Sequence, residues 1–378
     1  MAKRILSLIV CMLVFVGMAN GQANGKLQIH HMDVGQGDGA ILISPGGQVV
    51  LFDVGEDMKK HDCTKPVSYL DQLGIKHIDY LFVSHYHFDH IGCIPAVLSE
   101  FPLQGDAYDR GESYSGTAYT NYVTSVGSHR KTAAIGDAIT LDRNSQSPVV
   151  ITVFALNGKS RHGQVQTSNE NDLSLAVVVS FGTFREEIGG DLSGDNTPMY
   201  QDVETPVAPD VGKIDVYKVH HHCSSHSTND AWMAATKPTV GIISTGDGNG
   251  YNHPTADCLD RLHQHDVKTY WTETGNGARP ESGADVVGGN IVVEVAWNAP
   301  SFTIAYGGSH IDTYAVTAAS GTVPPNTPVV TVPKYAWSKN STHYHFANCR
   351  FVQNIVPANL EQGNSPPANK TLHKDCPK

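Results

Sequence analysis

The sequence predicts an α/β fold of four layers, αββα, followed by a small Cys/His module. Three observations carry that reading. Short apolar or alternating runs, the pattern of β-strands, recur from residue 26 to residue 306 with turn residues between them. They fall into two successive halves, each with stretches of helical spacing, and two facing sheets covered by helices accommodate such a chain. Several of the strand-like runs also end in loops dense in His and Asp, which places a reactive edge along the sheets.

The elements follow in order along the 378 residues, enough for one large domain and a small one. Met1 to Arg4 is basic, and the 13 residues from Ile5 to Gly17 are mostly apolar, too few to span a bilayer comfortably. Ala19 and Gly21 follow at a signal-peptidase spacing, so residues 1–21 read as a cleaved signal peptide; an uncleaved anchor is the alternative. No later run is apolar for long enough to be transmembrane, and the expectation is a secreted or periplasmic protein with no membrane contact after cleavage. Strands are expected at Leu27–Val34, Gly39–Ser44 and Gln48–Val54, and a helix over Thr64–Leu73 that stops at Gly74. An apolar strand from Ile78 to Val83 leads into Ser84–His90, and a helix over Ile91–Leu98 follows. Residues 104–137, rich in Gly, Ser and Tyr, read as an insertion over the site. Strands resume at Ala138–Leu141, Val149–Leu156, Leu173–Phe181 and Thr183–Ile188. The second half alternates strand Ile214–Val219, helix Thr228–Ala235, strand Thr239–Ser244, helix Thr255–His265 and strand Val267–Trp271. Strands Ile291–Trp297 and Ser301–Tyr306 close a domain over residues 22–309. Residues 310–334, rich in Thr, Ala and Pro, read as a linker, and 335–378 as the Cys/His module.

The formal net charge is −11, and loss of Lys3 and Arg4 with the signal makes it two units more negative. Non-specific nucleic-acid affinity comes from Lys and Arg at phosphates, so this acidic body implies no stable nucleic-acid partner. A phosphate substrate stays open, because bound cations supply local positive charge. Six cysteines outside the signal (Cys63, Cys93, Cys223, Cys258, Cys349, Cys376) permit disulfides without making a disulfide scaffold. Oligomeric state leaves no trace in the sequence.

The densest chemistry lies in Ser84-His85-Tyr86-His87-Phe88-Asp89-His90, three imidazoles and a carboxylate within six positions after a buried strand. Imidazole nitrogen and carboxylate oxygen suit Zn²⁺, and also Mn²⁺ or Fe²⁺. Further ligands are available at later strand ends. Asp191 follows the strand ending at Ile188, with Asp195 as the competing carboxylate, and Lys218-Val219-His220-His221-His222-Cys223-Ser224 follows another strand. Asp33 and Asp38 sit in an Asp-Val-Gly-Gln-Gly-Asp turn, where they edge the site or simply form the turn.

Together with Leu51-Phe-Asp53-Val-Gly, Asn171-Asp-Leu-Ser174 and Gly190-Asp191, these motifs resemble the metallo-β-lactamase fold. Within it they are most similar to the hydrolase domain of ComEC-type DNA-uptake proteins and its secreted relatives, over roughly residues 26 to 300. The resemblance implies a di-zinc site, with di-manganese as the variant. His85 and His87 would hold one metal, Asp89 and His90 the other, and Asp191 would bridge them. His221 would be the further ligand, with His222 lining the pocket and His220 leaving the register open by one position. Asp53 would orient a ligand imidazole, and Cys223 stands where the family has Gly. Glu170-Asn171-Asp172 replaces a further family His, so Asn171 or Asp172 could approach the first metal, with His162 as a weaker substitute. Asn252-His253-Pro254 would place His253 at the pocket mouth, where an imidazole can donate to an oxyanion or protonate a leaving group. Asp89 would also orient the attacking water, so Asp89, His222 and His253 are the catalytic candidates.

In the last module, His345-x3-Cys349 and His373-x2-Cys376 are spaced for a structural zinc and resemble the small metal-binding module of Ada, with His373 where that module has Cys. A plain Cys349–Cys376 disulfide is the equal alternative. The reading is therefore a secreted metal-dependent hydrolase acting on phosphodiesters, either nucleic acid or a phosphorylated surface polymer. Acyl or amide hydrolysis (a β-lactam or lactone) is the second reading, and an inactive surface-binding protein the third.

Overall fold

A computed structural model describes residues 23–55, 62–317, 335–346, 355, 359–363, 366–374 and 376. The expected signal peptide lies outside them. No helix among the described residues is long and apolar enough to cross a membrane. The chain divides into two units, one holding residues up to 321 apart from 136–138, the other those three residues with 322–378.

The first half of the large unit contributes β1 (Leu27–His31), β2 (Gly39–Ile43), β3 (Val49–Val54), α1 (Thr64–Gln72), β4 (Tyr80–Phe82), α2 (Phe88–Ile91), α3 (Ile94–Glu100), β5 (Ala107–Asp109), α4 (Thr117–Val126) and β6 (Arg130–Thr132). Then come β7 (Ala138–Leu141), β8 (Val149–Ala155), a short hairpin β9 (Lys159–Ser160) and β10 (Gly163–Gln164), β11 (Ala176–Phe181) and β12 (Phe184–Ile188). The rest is α5 (Glu204–Val211), β13 (Val216–Lys218), α6 (Asp230–Thr236), β14 (Val240–Ile243), α7 (Ala256–Gln264), β15 (Lys268–Trp271), β16 (Asp285–Val287), β17 (Ile291–Val295), β18 (Ser301–Tyr306) and β19 (His310–Ala315).

These strands build two sheets. The first has nine strands in the order β19-β18-β17-β1-β2-β3-β4-β5-β6, the second eight in the order β16-β15-β14-β13-β12-β11-β8-β7. Both are mixed. β3 to β6 run parallel in one and β12 to β16 in the other, while the remaining registered pairs are antiparallel.

Three apolar clusters define four layers. Ile29, Leu42, Val50, Val177, Val179, Ile242 and Val293 pack between the two sheets. The opposite face of the first sheet (Ile41, Leu51, Leu81) packs on Leu70, Ile94 and Val97 of α1 and α3. That of the second (Val178, Tyr217, Ile243) packs on Val207, Trp232 and Leu262 of α5 to α7. Strands buried on both faces are apolar nearly throughout, as Val49–Val54 and Ala176–Phe181 are. α7 shows the helical counterpart: Thr255 caps its first turn, and Cys258, Leu259 and Leu262 form its buried face.

Three expectations are corrected. The segment 104–137 is no free insertion, since β5 and β6 extend the first sheet in parallel and α4 packs Tyr122 and Val126 into the core. The linker cannot begin at 310, because His310–Ala315 pairs along the whole length of β18. The helix expected over Ile91–Leu98 is two pieces, α2 and α3, parted at Gly92-Cys93.

The small unit is a four-stranded sheet, in the order β22-β20-β21-β23, of β20 (Tyr335–Ser338), β21 (His343–Phe346), β22 (Leu360–Gly363) and β23 (Thr371–Leu372). His345, His373 and Cys376 each offer a ligand atom within 4.8 Å of one another. Cys376 is disulfide-bonded, which leaves that set without its thiolate. Cys349 lies outside the described residues.

Candidate active site

Parallel strands direct their carboxyl ends to one edge, where loops from both sheets converge. The segment after β4 carries His85 and His87 and, in α2, Asp89 and His90, and the turn after β12 carries Asp191. The loop after β13 carries His221 and His222, and the one after β14 carries His253. Four short contacts centre on Asp191: its Oδ1 lies 3.3 Å from His90 Nε2, and its Oδ2 lies 3.9, 3.8 and 3.7 Å from Nε2 of His85, His221 and His222. His87 Nδ1 lies 3.0 Å from His85 Nε2. Asp89 Oδ2 lies 3.5 Å from His222 Nε2.

Two of the motif glycines explain how the first ligand loop is seated. Asp89 accepts the Asp38 N–H through its backbone oxygen, and a Cβ at Gly37 or Gly55 would stand 2.4 or 1.9 Å from that oxygen. Only glycine lets the two turns close on the loop. Asp53 then fixes the ring, accepting Ser84 N–H and Oγ–H at 2.8 and 2.6 Å and facing His90 Nδ1 at 3.0 Å. His90 is thereby left with Nε2 turned toward Asp191.

The second ligand loop is unusual in its backbone. His221, His222 and Cys223 have φ of 50°, 52° and 61°, three consecutive non-glycine residues in the left-handed region. Each such residue costs roughly 1–2 kcal/mol, so the surroundings must hold them. His220, directly before, is wedged between Glu204 (2.7 Å from Nδ1) and Glu187 (3.2 Å from Nε2). Burial opposes charging that ring, but the two carboxylates push its pKa up to about 9. His222 Nδ1 faces the Ser244 carbonyl oxygen at 2.9 Å, and Cys223 is disulfide-bonded to Cys258 of α7. The register is therefore resolved: His220 anchors the loop from behind, and both His221 and His222 face the site. His222, expected to line the pocket, turns Nε2 toward Asp89 and Asp191.

The other expected residues divide. Asn171 Nδ2 lies 3.0 Å from His221 Nε2, within the site. His253 is buried beside the ligands, its ring 5.5 Å from that of His221. Asp33 is a turn former, accepting the Gly35 N–H and the Lys65 ammonium away from the cluster. Asp195 pairs with His226 at the surface, His162 pairs with Asp210, and Asp172 accepts from Thr167 and the Gln201 N–H. Asp38 belongs in the site although its turn alone did not decide the matter: it is buried, bonded to Lys218, and 3.4 Å from His222 Nδ1. The signal was the acidic end of the Gly-Gln-Gly-Asp turn together with the lysine that opens Lys218-Val-His-His-His.

The electrostatics are those of a cation site. Burial works against charging His90 and His222, yet Asp191, Asp53 and Asp38 hold the first well above its usual range, and Asp191, Asp38 and Asp89 push the second up to about 10. Burial, reinforced by neighbouring imidazoles, lowers His85, His221 (to about 4) and His253 (to about 3). His90 Nε2, His222 Nε2, Asp191 Oδ1 and Asn171 Oδ1 are buried without a well-directed hydrogen bond, a costly state for polar atoms unless an ion takes them up. Two overlapping groups, His85/His90/Asp191 and Asp89/His90/His222, each offer one ligand atom per residue within 4.8 Å of one another.

Residues 39–247, more than half of the chain, match the sequence profile of the metallo-beta-lactamase superfamily. The chain belongs to that superfamily. It is thus a metal-dependent hydrolase by family. Recombination protein 2 of Haemophilus influenzae is 27% identical over 251 residues, 63% of this chain and 26% of that protein. ComE operon protein 3 of Bacillus subtilis is 24% identical over 281 residues, 70% of this chain and 34% of that one. The chain therefore spans about a quarter to a third of these competence-type relatives. Among solved structures, the metallo-beta-lactamase fold protein YhfI of Bacillus subtilis is similar with 12% identity and a TM-score of 0.40, over 71% of this chain and 100% of that one.

For a superfamily member whose ligand loop has Cys223 at a left-handed position, the Cys223–Cys258 bridge has a testable role. It closes 35 residues of chain, a constraint on the order of 4 kcal/mol in the chain-entropy picture. Cys258→Ala is expected to lower the melting temperature and weaken zinc affinity at least tenfold. Adding Cys223→Gly, which accepts φ near 60° without strain, is expected to recover the affinity but not the melting temperature. Zinc titration and thermal unfolding of both variants check this, and unchanged affinity in Cys258→Ala rules the role out.

Proposed function

We propose that the chain is an exported hydrolase of phosphodiesters that uses two divalent cations, zinc or manganese. The observation that carries this reading is Asp191, one buried carboxylate facing four imidazoles from two segments, those after β4 and β13. That arrangement suits divalent cations, which Asp191 and the imidazoles facing it would hold and which would supply positive charge for displacement at phosphorus. Bound cations would make water acidic enough to attack at neutral pH and would offset the negative charge of a phosphodiester. The competence-type relatives favour nucleic acid as the source of that ester.

The protein's own groups have separate tasks in this reading. His85, His87, Asp89, His90, Asp191, His221 and His222 would hold the ions, and Asp89 would also accept a hydrogen bond from the attacking water. Asp53 keeps His90 in orientation through Nδ1, and Asn171 stands at His221 Nε2, on the side where an ion would be held. His253 is kept neutral by burial and neighbouring imidazoles, so it is suited to donate one N–H to a phosphoryl oxygen rather than to protonate the leaving group. The Cys63–Cys93 and Cys223–Cys258 bridges support an oxidising compartment, in keeping with the basic-apolar start of the sequence.

Chelated protein reconstituted with zinc or manganese, offered bis-p-nitrophenyl phosphate, p-nitrophenyl phosphorylcholine, nitrocefin and a lactone, tests the reading. Metal-dependent turnover of a phosphodiester, lost in His87→Ala and Asp89→Ala, is expected. Turnover of nitrocefin or the lactone alone would overturn it.

A further inference from the structure

Three tyrosines stand around the ligand cluster, each from a different loop and each beside a different histidine of the site. Tyr114, between β5 and α4, lies 6.0 Å from the His87 ring, edge to face. Tyr200, between β12 and α5, lies 5.7 Å from His221 and stacks on His226 at 4.8 Å. Tyr251, between β14 and α7, is 48% exposed and stacks on His253 at 5.8 Å and 25°. Tyr114 also walls a cavity of about 400 Å³ that Arg110, Asn157, Lys159 and Glu170 help to line. Glu170 accepts the Tyr86 N–H, so this cavity opens directly beside the ligand loop.

We propose that these rings are a base-stacking rim, with Tyr114 and its cavity receiving the nucleobase on one side of the scissile phosphate and the Tyr251–His253 stack receiving the one on the other. The proposal rests on the phosphodiester reading and deepens it: the substrate is a single-stranded nucleic acid or a nucleotide diester rather than a base-free one. The physical reason is that every base has a flat π-face, and aromatic platforms bind single strands without reading sequence. The rim also supplies what the acidic body lacks, since affinity for bases does not require a basic groove. A quaternary ammonium headgroup would instead need rings gathered face-on around one point. Here each tyrosine packs instead against a different histidine of the site.

Three diesters with one leaving group test this on zinc-loaded protein: thymidine 5′-(p-nitrophenyl phosphate), methyl p-nitrophenyl phosphate and p-nitrophenyl phosphorylcholine. The thymidine ester is expected to exceed the methyl ester at least tenfold in kcat/KM, mostly through KM. Tyr114→Ala or Tyr251→Ala should collapse that ratio to threefold or less, and the Phe variants should keep it. Equal turnover of the thymidine and methyl esters, or an unchanged ratio in both Ala variants, overturns the rim while leaving the phosphodiester reading intact. Preference for the phosphorylcholine ester overturns it in favour of a cation-binding rim. Absence of turnover with all three brings down the phosphodiester reading, and the rim with it.

Discussion

Asp191→Asn is expected to lower kcat/KM by roughly a thousandfold or more, equivalent to about 4 kcal/mol, and to release at least one equivalent of bound metal. The carboxylate is 2% exposed and faces Nε2 of His85, His90, His221 and His222. An amide keeps the shape but loses the charge, and its NH₂ end turns a donor toward nitrogens that need lone pairs for a cation. Metal analysis of the purified variant, beside its kinetics on a phosphodiester, checks both effects. Wild-type metal content with wild-type activity would show that Asp191 holds no ion.

Lys218→Met carries the largest expected effect on stability. Lys218 is 2% exposed and Asp38 is 4% exposed, and the two are bonded across the interface of the sheets. Burial favours the neutral acid at Asp38, whereas Lys218, first among its charged neighbours, and then His222 and His90 hold the carboxyl well below its usual range. Removing the ammonium strands a carboxylate in the interior, a loss of about 3–5 kcal/mol for a broken buried pair. Replacing both partners, Asp38→Asn with Lys218→Met, should cost less than the single lysine change, because no charge is then left without a counter-charge. Urea unfolding midpoints of the two variants decide it. A single variant no less stable than the double one would remove the pair from the account of the fold.

Much of this was legible in the sequence, and the reasons are local. Strands buried on both faces announce themselves as apolar runs, so β3, β11 and β14 lie close to where they were expected. His85, His87, Asp89 and His90 stood out as ligand candidates because they fall within six positions of the sequence. What was not legible depends on distant or atypical chain. α5 contains Pro206 and Pro209, which break helical patterning even though the helix forms and Val207, Ala208 and Val211 are buried. β5 and β6 are three residues each, too short for a period to show. The partnership of Asp38 with Lys218 spans 180 positions, and no spacing rule reaches that far. The three histidines 220–222 could be told apart only once Glu187 and Glu204 were seen to claim the first of them.

The antiparallel ladder between β1 and β17 sets Leu27 opposite Val295. A ribosome would have to deliver nearly the whole domain before the first strand gained its second neighbour. Until then Leu27, Ile29 and the inner faces around them lack the cover that Ile291, Val293, Val295 and Phe302 provide. Such non-local closure is slow and leaves an unpaired edge open in the meantime. A fragment cut to residues 39–247 would retain every ligand candidate from His85 to His222 and still lack both β1 and β17, the strand that pairs with it from the far end of the domain. The stretch by which the family is recognised is smaller than the stretch that must fold.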